Sequence, residues 1–355
     1  MLQRTLVISL CLFVIPVIRG DEPRTLTPAQ TREAFLKLLD RPKVSADAKE
    51  AAPAKETDGL ITEHLSIATE KKADGTIERL PILIVRPAKS GKCPAMIVLH
   101  GTGGNKEGQR SWLIDFAKRG ITGIAIDARY HGERSGGAKG SAAYVAAIGK
   151  AWQAPRESME HPFYYDTVWD LWRLVDYLET RGDLDPKRIG MLGISMGGIQ
   201  TWLAASVDER VAVAAPLIGV QSFRWSLENE KWQGRANTIK AAHELAAREL
   251  KEPMVNQKVC RELWNKVIPG ILNEFDCPKM LTLLAGRPTI ITNGDKDGNC
   301  PIEGARIAFR SAEEAFAKAN ASDKLRIMVG ENVGHTITAE HRQAAIEFCD
   351  KWLKK

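Results

Sequence analysis

RIGMLGISMGGIQTWLAA, residues 188–205, is the stretch on which the fold turns. Arg188 to Ile194 is a short apolar run of the kind buried on both faces of a sheet. GGIQTWLAA, which follows, has helical character. Between them Gly193-Ile194-Ser195-Met196-Gly197 places a serine at the turn from strand to helix. A residue at so tight a turn is held in a strained backbone, and glycines around it leave room for the chain and for a substrate. The helix that begins there aims free amides and its positive dipole end at any anion formed on the serine. The pattern G-x-S-x-G alone is common. The strand before it and the helix after it make Ser195 a candidate nucleophile.

Outward from this turn the chain alternates strands and helices. GLITEHLSIAT and ERLPILIVRP read as an antiparallel pair around Ala73, Asp74 and Gly75, ahead of the sheet proper. AMIVLH, ITGIAIDAR, VAVAAPLIGV, PTIITNG and KLRIMVG supply further strands, with helices near Ser111–Arg119, Tyr165–Arg181, Ile302–Ala319 and Thr338–Leu353. Such alternation means a mostly parallel sheet with helices on both faces, an α/β class fold. Residues 221–284 break the rhythm, are rich in Glu, Lys, Arg and Trp, and read as an inserted helical lid. The predicted organisation is a signal peptide over 1–20, a polar leader over 21–59 with a surface helix at Thr31–Leu39, and one domain over 60–355.

A serine hydroxyl needs a base, and the base needs an acceptor that fixes its tautomer. His335 lies in the loop after the last predicted strand, where a parallel sheet presents residues at the carboxyl ends of its strands. Asp295 and Asp297 in NGDKDGNCP both suit the acid; Asp297 is the choice, with Asp295 open as the alternative. The run D-K-D-G-N resembles the start of a calcium loop, but Cys300 and Arg306 stand where that loop needs Gly and Glu. HGTGG, residues 100–104, follows a strand and offers backbone amides for an oxyanion. The Met196 amide is one expected donor and that of Thr102 the other, with Gly103 as substitute. Neither a G-K-[ST] nor a G-x-G-x-x-G pattern is present, so the Gly-rich loop is not read as a phosphate site.

The chain has 355 residues, 44% hydrophobic and 26% charged, with a formal charge of +6. Its basic residues are interspersed with acidic ones and form no run that could track a phosphate backbone, so no nucleic-acid partner is expected. MLQRTLVISLCLFVIPVIRG has an early Arg4 and an apolar stretch from Leu6 to Ile18, the proportions of an export signal rather than of a membrane span. The expected location is periplasmic or secreted, with no integral span once the signal is removed. Without Cys11, five cysteines remain, and their spacing fits neither a disulfide framework nor a zinc ribbon. Buried thiols are expected.

HGTGG, DARYHGER, GISMGG, NGDKDGNCP and VGH, in this order, resemble the α/β-hydrolase superfamily over roughly Leu80 to Leu353. Within it the sequence is most similar to the dienelactone-hydrolase-like and acetyl-xylan-esterase-like branch, near the catalytic domains of prolyl-oligopeptidase-type peptidases. Dienelactone hydrolases proper carry Cys where this chain has Ser195. The resemblance implies structural roles for Asp127, Arg129, His131 and Gly132. Together with the residues it implies an exported serine hydrolase that cleaves short-acyl esters, including acetyl groups on carbohydrate, with no metal or organic cofactor. A peptidase or an acyltransferase using the same triad is the alternative, and a non-catalytic binding module a more distant one. Among the aromatics, Trp169, Tyr165 and Trp225 are the expected pocket-lining residues. Sequence leaves acyl chain, alcohol and oligomeric state open.

Overall fold

A computed structural model describes residues 26–89, 91–156 and 160–355. The expected signal segment lies outside the described residues. Among these residues the strands form one nine-stranded sheet, ordered β1-β2-β3-β5-β4-β6-β7-β8-β9. The strands are β1 Lys49–Thr57, β2 Leu60–Lys71, β3 Ile77–Pro87, β4 Cys93–Leu99, β5 Thr122–Ile126, β6 Leu184–Ile194, β7 Val211–Leu217, β8 Thr289–Gly294 and β9 Leu325–Gly330. β2 is antiparallel to both β1 and β3, and β3 is antiparallel to β5. From β5 to β9 every neighbouring pair is parallel.

The reason is visible in β4. Ala95, Ile97 and Leu99 enter one hydrophobic core, whereas Met96 and Val98 enter the other. A continuous apolar run with period two therefore serves both faces of a sheet that must be covered on both sides. One face carries α2 (Arg110–Ala117) and α12 (Ala339–Leu353). The other carries α3 (Ala142–Gln153), α4 (Tyr165–Thr180), α5 (Met196–Val207) and α11 (Ile302–Lys318). β4 lies between β5 and β6, so the chain reverses direction across it. Loops leaving β4 and β6 open at this switch, the usual site of ligands in a parallel sheet.

Two features of the first sixty residues depart from the sequence reading. α1 (Pro28–Leu39) starts with a Thr27–Gln30 capping box and Pro28 in its first turn. It is amphipathic and lies on the surface as expected, but it starts at Pro28 and its inner face is anchored: Phe35 and Leu39 are buried, and Phe35 meets Tyr165 edge-on at 5.3 Å and Phe275 at 4.9 Å. β1 falls inside the expected leader and pairs with β2 across residue 59. All its residues are exposed, so its sequence KEAAPAKET has no alternation to read.

Residues 221–284 form α6 (Phe223–Glu228), α7 (Gln233–Asn237), α8 (Lys240–Glu249), α9 (Gln257–Val267) and α10 (Cys277–Thr282). Val259, Cys260, Leu263, Trp264 and Val267 of α9 are buried in the same core as the sheet. The insertion is thus welded to the domain through apolar side chains. Cys260, Cys277, Cys300 and Cys349 are buried free thiols, and Cys93 is half-buried.

Candidate active site

Ser195 follows β6 directly and occupies the N-cap position of α5, with φ 56° and ψ −111°. A non-glycine residue in this region stores about 1–3 kcal/mol of strain, which the surroundings must hold. The Ser195 amide donates to Leu217 O (2.9 Å), and Ile199 N donates back to Ser195 O (3.0 Å). The turn leaves no room for side chains. A Cβ on Gly193 would overlap the Gly197 carbonyl and stand 2.5 Å from Thr201 Oγ1, and one on Gly197 would stand 2.6 Å from Leu99 O.

His335 and Asp297 meet this serine. His335 Nε2 lies 2.7 Å from Ser195 Oγ, and His335 Nδ1 lies 2.7 Å from Asp297 Oδ2. The Asp297 side chain is wholly buried and that of His335 is 24% exposed, so the imidazole is open to solvent while the carboxylate is not. Asp297 Oδ1 accepts from Asn299 N (2.8 Å) and Cys300 N (3.0 Å), which fixes the carboxylate plane. Asp295, two residues earlier, does something else. It accepts from Val333 N (3.2 Å), bracing the backbone of the loop that carries His335. Lys296 N donates to Val333 O (2.9 Å) in the same contact. The close approach needs Gly294, where a Cβ would overlap the Val333 carbonyl.

On the other side of Ser195 stands the loop after β4. Gly104 N closes a turn on Gly101 O (3.0 Å), and Gly103 adopts φ 79°. His100 is buried; its Nδ1 lies 2.8 Å from Gly101 O and its Nε2 accepts from Ala128 N (3.2 Å). Burial pushes its pKa below the usual imidazole range, so it acts as a neutral strut. The Met196 amide belongs to the first turn of α5, and the Thr102 amide to the loop facing it. Among the described residues neither donates to a backbone carbonyl, which leaves both free for an oxyanion.

The DARYHGER segment supports this loop. Asp127 is buried and accepts from Lys106 N (2.8 Å), Lys106 Nζ (3.1 Å) and Glu133 N (3.0 Å). Gly132, with φ 53°, lies so close that a Cβ would overlap the Asp127 carboxyl. Arg129 is bidentate to Asp170 (2.8 and 3.0 Å) and also reaches Glu70 (2.6 Å). Burial alone would raise the Asp170 carboxyl; Arg129 and Arg134 outweigh it and hold it well below the usual carboxylate range.

The family model for the alpha/beta hydrolase fold matches residues 94–241, which run from β4 through the serine turn into the helical insertion. The chain has the α/β-hydrolase fold. The putative hydrolase YtaP of Bacillus subtilis (strain 168) is 26% identical over 290 residues, covering 78% of this chain and 84% of that protein. The putative esterase YitV of the same organism is 23% identical over 284 residues, covering 78% and 97%. Among solved structures, acetyl xylan esterase 1 from Thermoanaerobacterium sp. JW/SL YS485 superposes with a TM-score of 0.68 at 18% identity, covering 93% of this chain and 96% of that one. A glucuronoyl esterase from Solibacter usitatus superposes with a TM-score of 0.62 at 14% identity, covering 90% and 92%.

Two of the three expected pocket aromatics lie elsewhere in this fold. Tyr165 is fully buried and its hydroxyl donates to Pro269 O (3.0 Å). Trp169 is buried and its indole donates to Thr69 O (2.9 Å). Both sit on α4 and pack the core; their polar atoms are spent on backbone carbonyls. Trp225 is half-buried on α6 and packs over Gly304 in the first turn of α11. Sequence reasoning passed over Tyr144 and Arg235. Both are buried polar side chains facing the loops that hold the site, and no motif marks either.

Proposed function

We propose that this protein is a serine esterase in which Ser195 is the nucleophile, His335 the base and Asp297 the residue that orients it. The observation that carries the reading is the unbroken chain from Ser195 Oγ through His335 to Asp297, with 2.7 Å at both steps, on a serine held at φ 56°. Asp297 Oδ2 accepts a hydrogen bond from Nδ1–H and so holds the proton on Nδ1, and Nε2 presents its lone pair to the serine hydroxyl. As Oγ bonds to the ester carbonyl carbon, its proton passes to Nε2. The carbonyl oxygen becomes an anion between the Met196 and Thr102 amides, at the positive end of α5. Collapse breaks the bond to the alcohol oxygen, which leaves with the proton from Nε2. Water, deprotonated by His335, then attacks the acyl-enzyme and releases the acid. No step draws on a metal or organic cofactor.

The substrate is an ester of small acyl groups, with acetyl groups on carbohydrate as the leading class. The names of the structural neighbours, an acetyl xylan esterase and a glucuronoyl esterase, favour carbohydrate esters over peptides. Export follows from the apolar stretch Leu6–Ile18, and among the described residues no helix is long and apolar enough to cross a membrane. The test is hydrolysis of 4-nitrophenyl acetate, butyrate and octanoate beside an aminoacyl-proline anilide. The reading expects cleavage of the short esters and loss of that cleavage in Ser195→Ala. Preference for the anilide would move the enzyme to the peptidases.

A further inference from the structure

Arg235, on α7 of the insertion, is 1% exposed. Its guanidinium is charged at every working pH, and a buried charge needs a partner. Nη2 donates to Asn299 O (3.2 Å) and to Cys300 Sγ (3.4 Å). Neither is anionic: burial pushes the Cys300 thiol up to about 12. Nε and Nη1 make no hydrogen bond of good geometry among the described residues, and the neighbouring Tyr164 phenol is neutral, pushed up by burial to about 12. Tyr144, on α3, is also 1% exposed and lies within electrostatic reach of Arg235; its hydroxyl sits near the Tyr164 backbone and makes no hydrogen bond of good geometry among the described residues.

Both flanks of the candidate active site touch this cluster. Cys300 Sγ lies within 4.8 Å of polar atoms of Asp297 and His335, which places Arg235 one contact beyond the base. On the other flank the Tyr144 ring is 4.7 Å from His131, and His131 is 5.1 Å from His100, which opens the loop carrying Thr102. Burial, helped by His100, lowers His131 to about 4, so it brings no competing positive charge at neutral pH. Cap and loop meet tightly here: a Cβ on Gly234 would overlap the Gly298 carbonyl. Nε and Nη1 lie on different edges of the guanidinium, so each offers a separate charge-assisted donor, and a carboxylate seated between the two residues takes one hydrogen bond from Arg235 and one from the Tyr144 hydroxyl.

We propose that Arg235 and Tyr144 form an anion-binding subsite that selects esters bearing a carboxylate near the scissile bond. The proposal rests on the serine-esterase reading above. The carboxylate belongs either to the acyl part or to the alcohol, and the two sources separate by assay. kcat/KM is measured on the full chain for 4-nitrophenyl hemisuccinate against 4-nitrophenyl butyrate, and for 4-acetoxybenzoate against its methyl ester. Arg235→Met, Arg235→Lys and Tyr144→Phe are compared, with Ser195→Ala as blank.

The charged-to-neutral ratio of one pair is expected to fall by about 10- to 100-fold in Arg235→Met, the loss of a charge-assisted hydrogen bond in a buried site. Tyr144→Phe is expected to lower the same ratio by less, and the pair that responds identifies the carboxylate's source. If charged and neutral esters fall together and the ratio stays, Arg235 only positions the Asp297 turn and the subsite is overturned. A charged-to-neutral ratio that responds to neither Arg235 nor Tyr144 replacement in either pair overturns it as well. Should Arg235→Met not fold, Arg235→Lys and Tyr144→Phe carry the same comparison. Absence of Ser195-dependent hydrolysis of the neutral esters would instead overturn the esterase reading.

Discussion

Replacing Asp297 by Asn separates two aspartates that sequence alone could not. Asp297 Oδ1 is held by the Asn299 and Cys300 amides at 2.8 and 3.0 Å, and two N–H donors require an oxygen there. An asparagine must therefore keep its carbonyl oxygen on that side and turn its NH2 toward His335 Nδ1. The imidazole then accepts at Nδ1 and carries its proton on Nε2, 2.7 Å from Ser195 Oγ, where it donates instead of accepting. The base is in the wrong tautomer although nothing has moved. Comparable tautomer errors in triads cost about 10⁴ in kcat, or roughly 5.4 kcal/mol at 1.36 kcal/mol per tenfold. Asp295→Asn keeps an oxygen for Val333 N and is expected to change kcat less than about threefold. The assay is steady-state hydrolysis of 4-nitrophenyl acetate by both variants, with circular dichroism to show equal folding. A loss under about 30-fold in Asp297→Asn, or a larger loss in Asp295→Asn, would refute the reasoning.

Three further outcomes follow from the packing. Gly193→Ala drives a Cβ into the Gly197 carbonyl, so the urea midpoint should fall by the equivalent of about 3 kcal/mol, with activity lost in the folded remainder. Asp170→Asn strips Arg129 and Arg134 of a buried partner and should cost about 3–5 kcal/mol at pH 7. The folded carboxyl titrates below its ordinary 3.8, so the stability it adds is present above that pH and lost as pH falls through the folded value. The melting-temperature gap between wild type and variant should therefore narrow on acidification below pH about 4, and a constant gap would contradict the ion-pair assignment. Tyr165→Phe should cost about 1 kcal/mol of stability through the lost bond to Pro269 O. Its KM should stay within about twofold, whereas a rise beyond fivefold would return Tyr165 to the pocket.

What could be read from the sequence was what local chemistry dictates. The parallel strands are unbroken apolar runs because both faces of the sheet are covered, and β4 shows it residue by residue. The serine turn was legible because its glycines answer to backbone contacts a few residues away. β1 was not, since an exposed edge strand is held by backbone pairing that leaves no mark on its side chains. α3, Ala142–Gln153, escaped because an Ala-rich segment after a run of glycines looks like loop until Tyr144 and Ile148 find their neighbours. Tyr165 and Trp169 misled for the opposite reason. An aromatic at helical spacing is the same letter whether it faces a pocket or Phe35. Arg235 belongs to the insertion, and only the folded chain brings it to the Asp297 loop.

The most direct test of the central claim is active-site labelling with a fluorophosphonate, read by intact-mass spectrometry and peptide mapping, on wild type and Ser195→Ala. The account predicts one adduct on Ser195, loss of ester hydrolysis in proportion to labelling, and neither label nor hydrolysis in the variant. An adduct on another residue, or an unlabelled wild type that is folded, would contradict it.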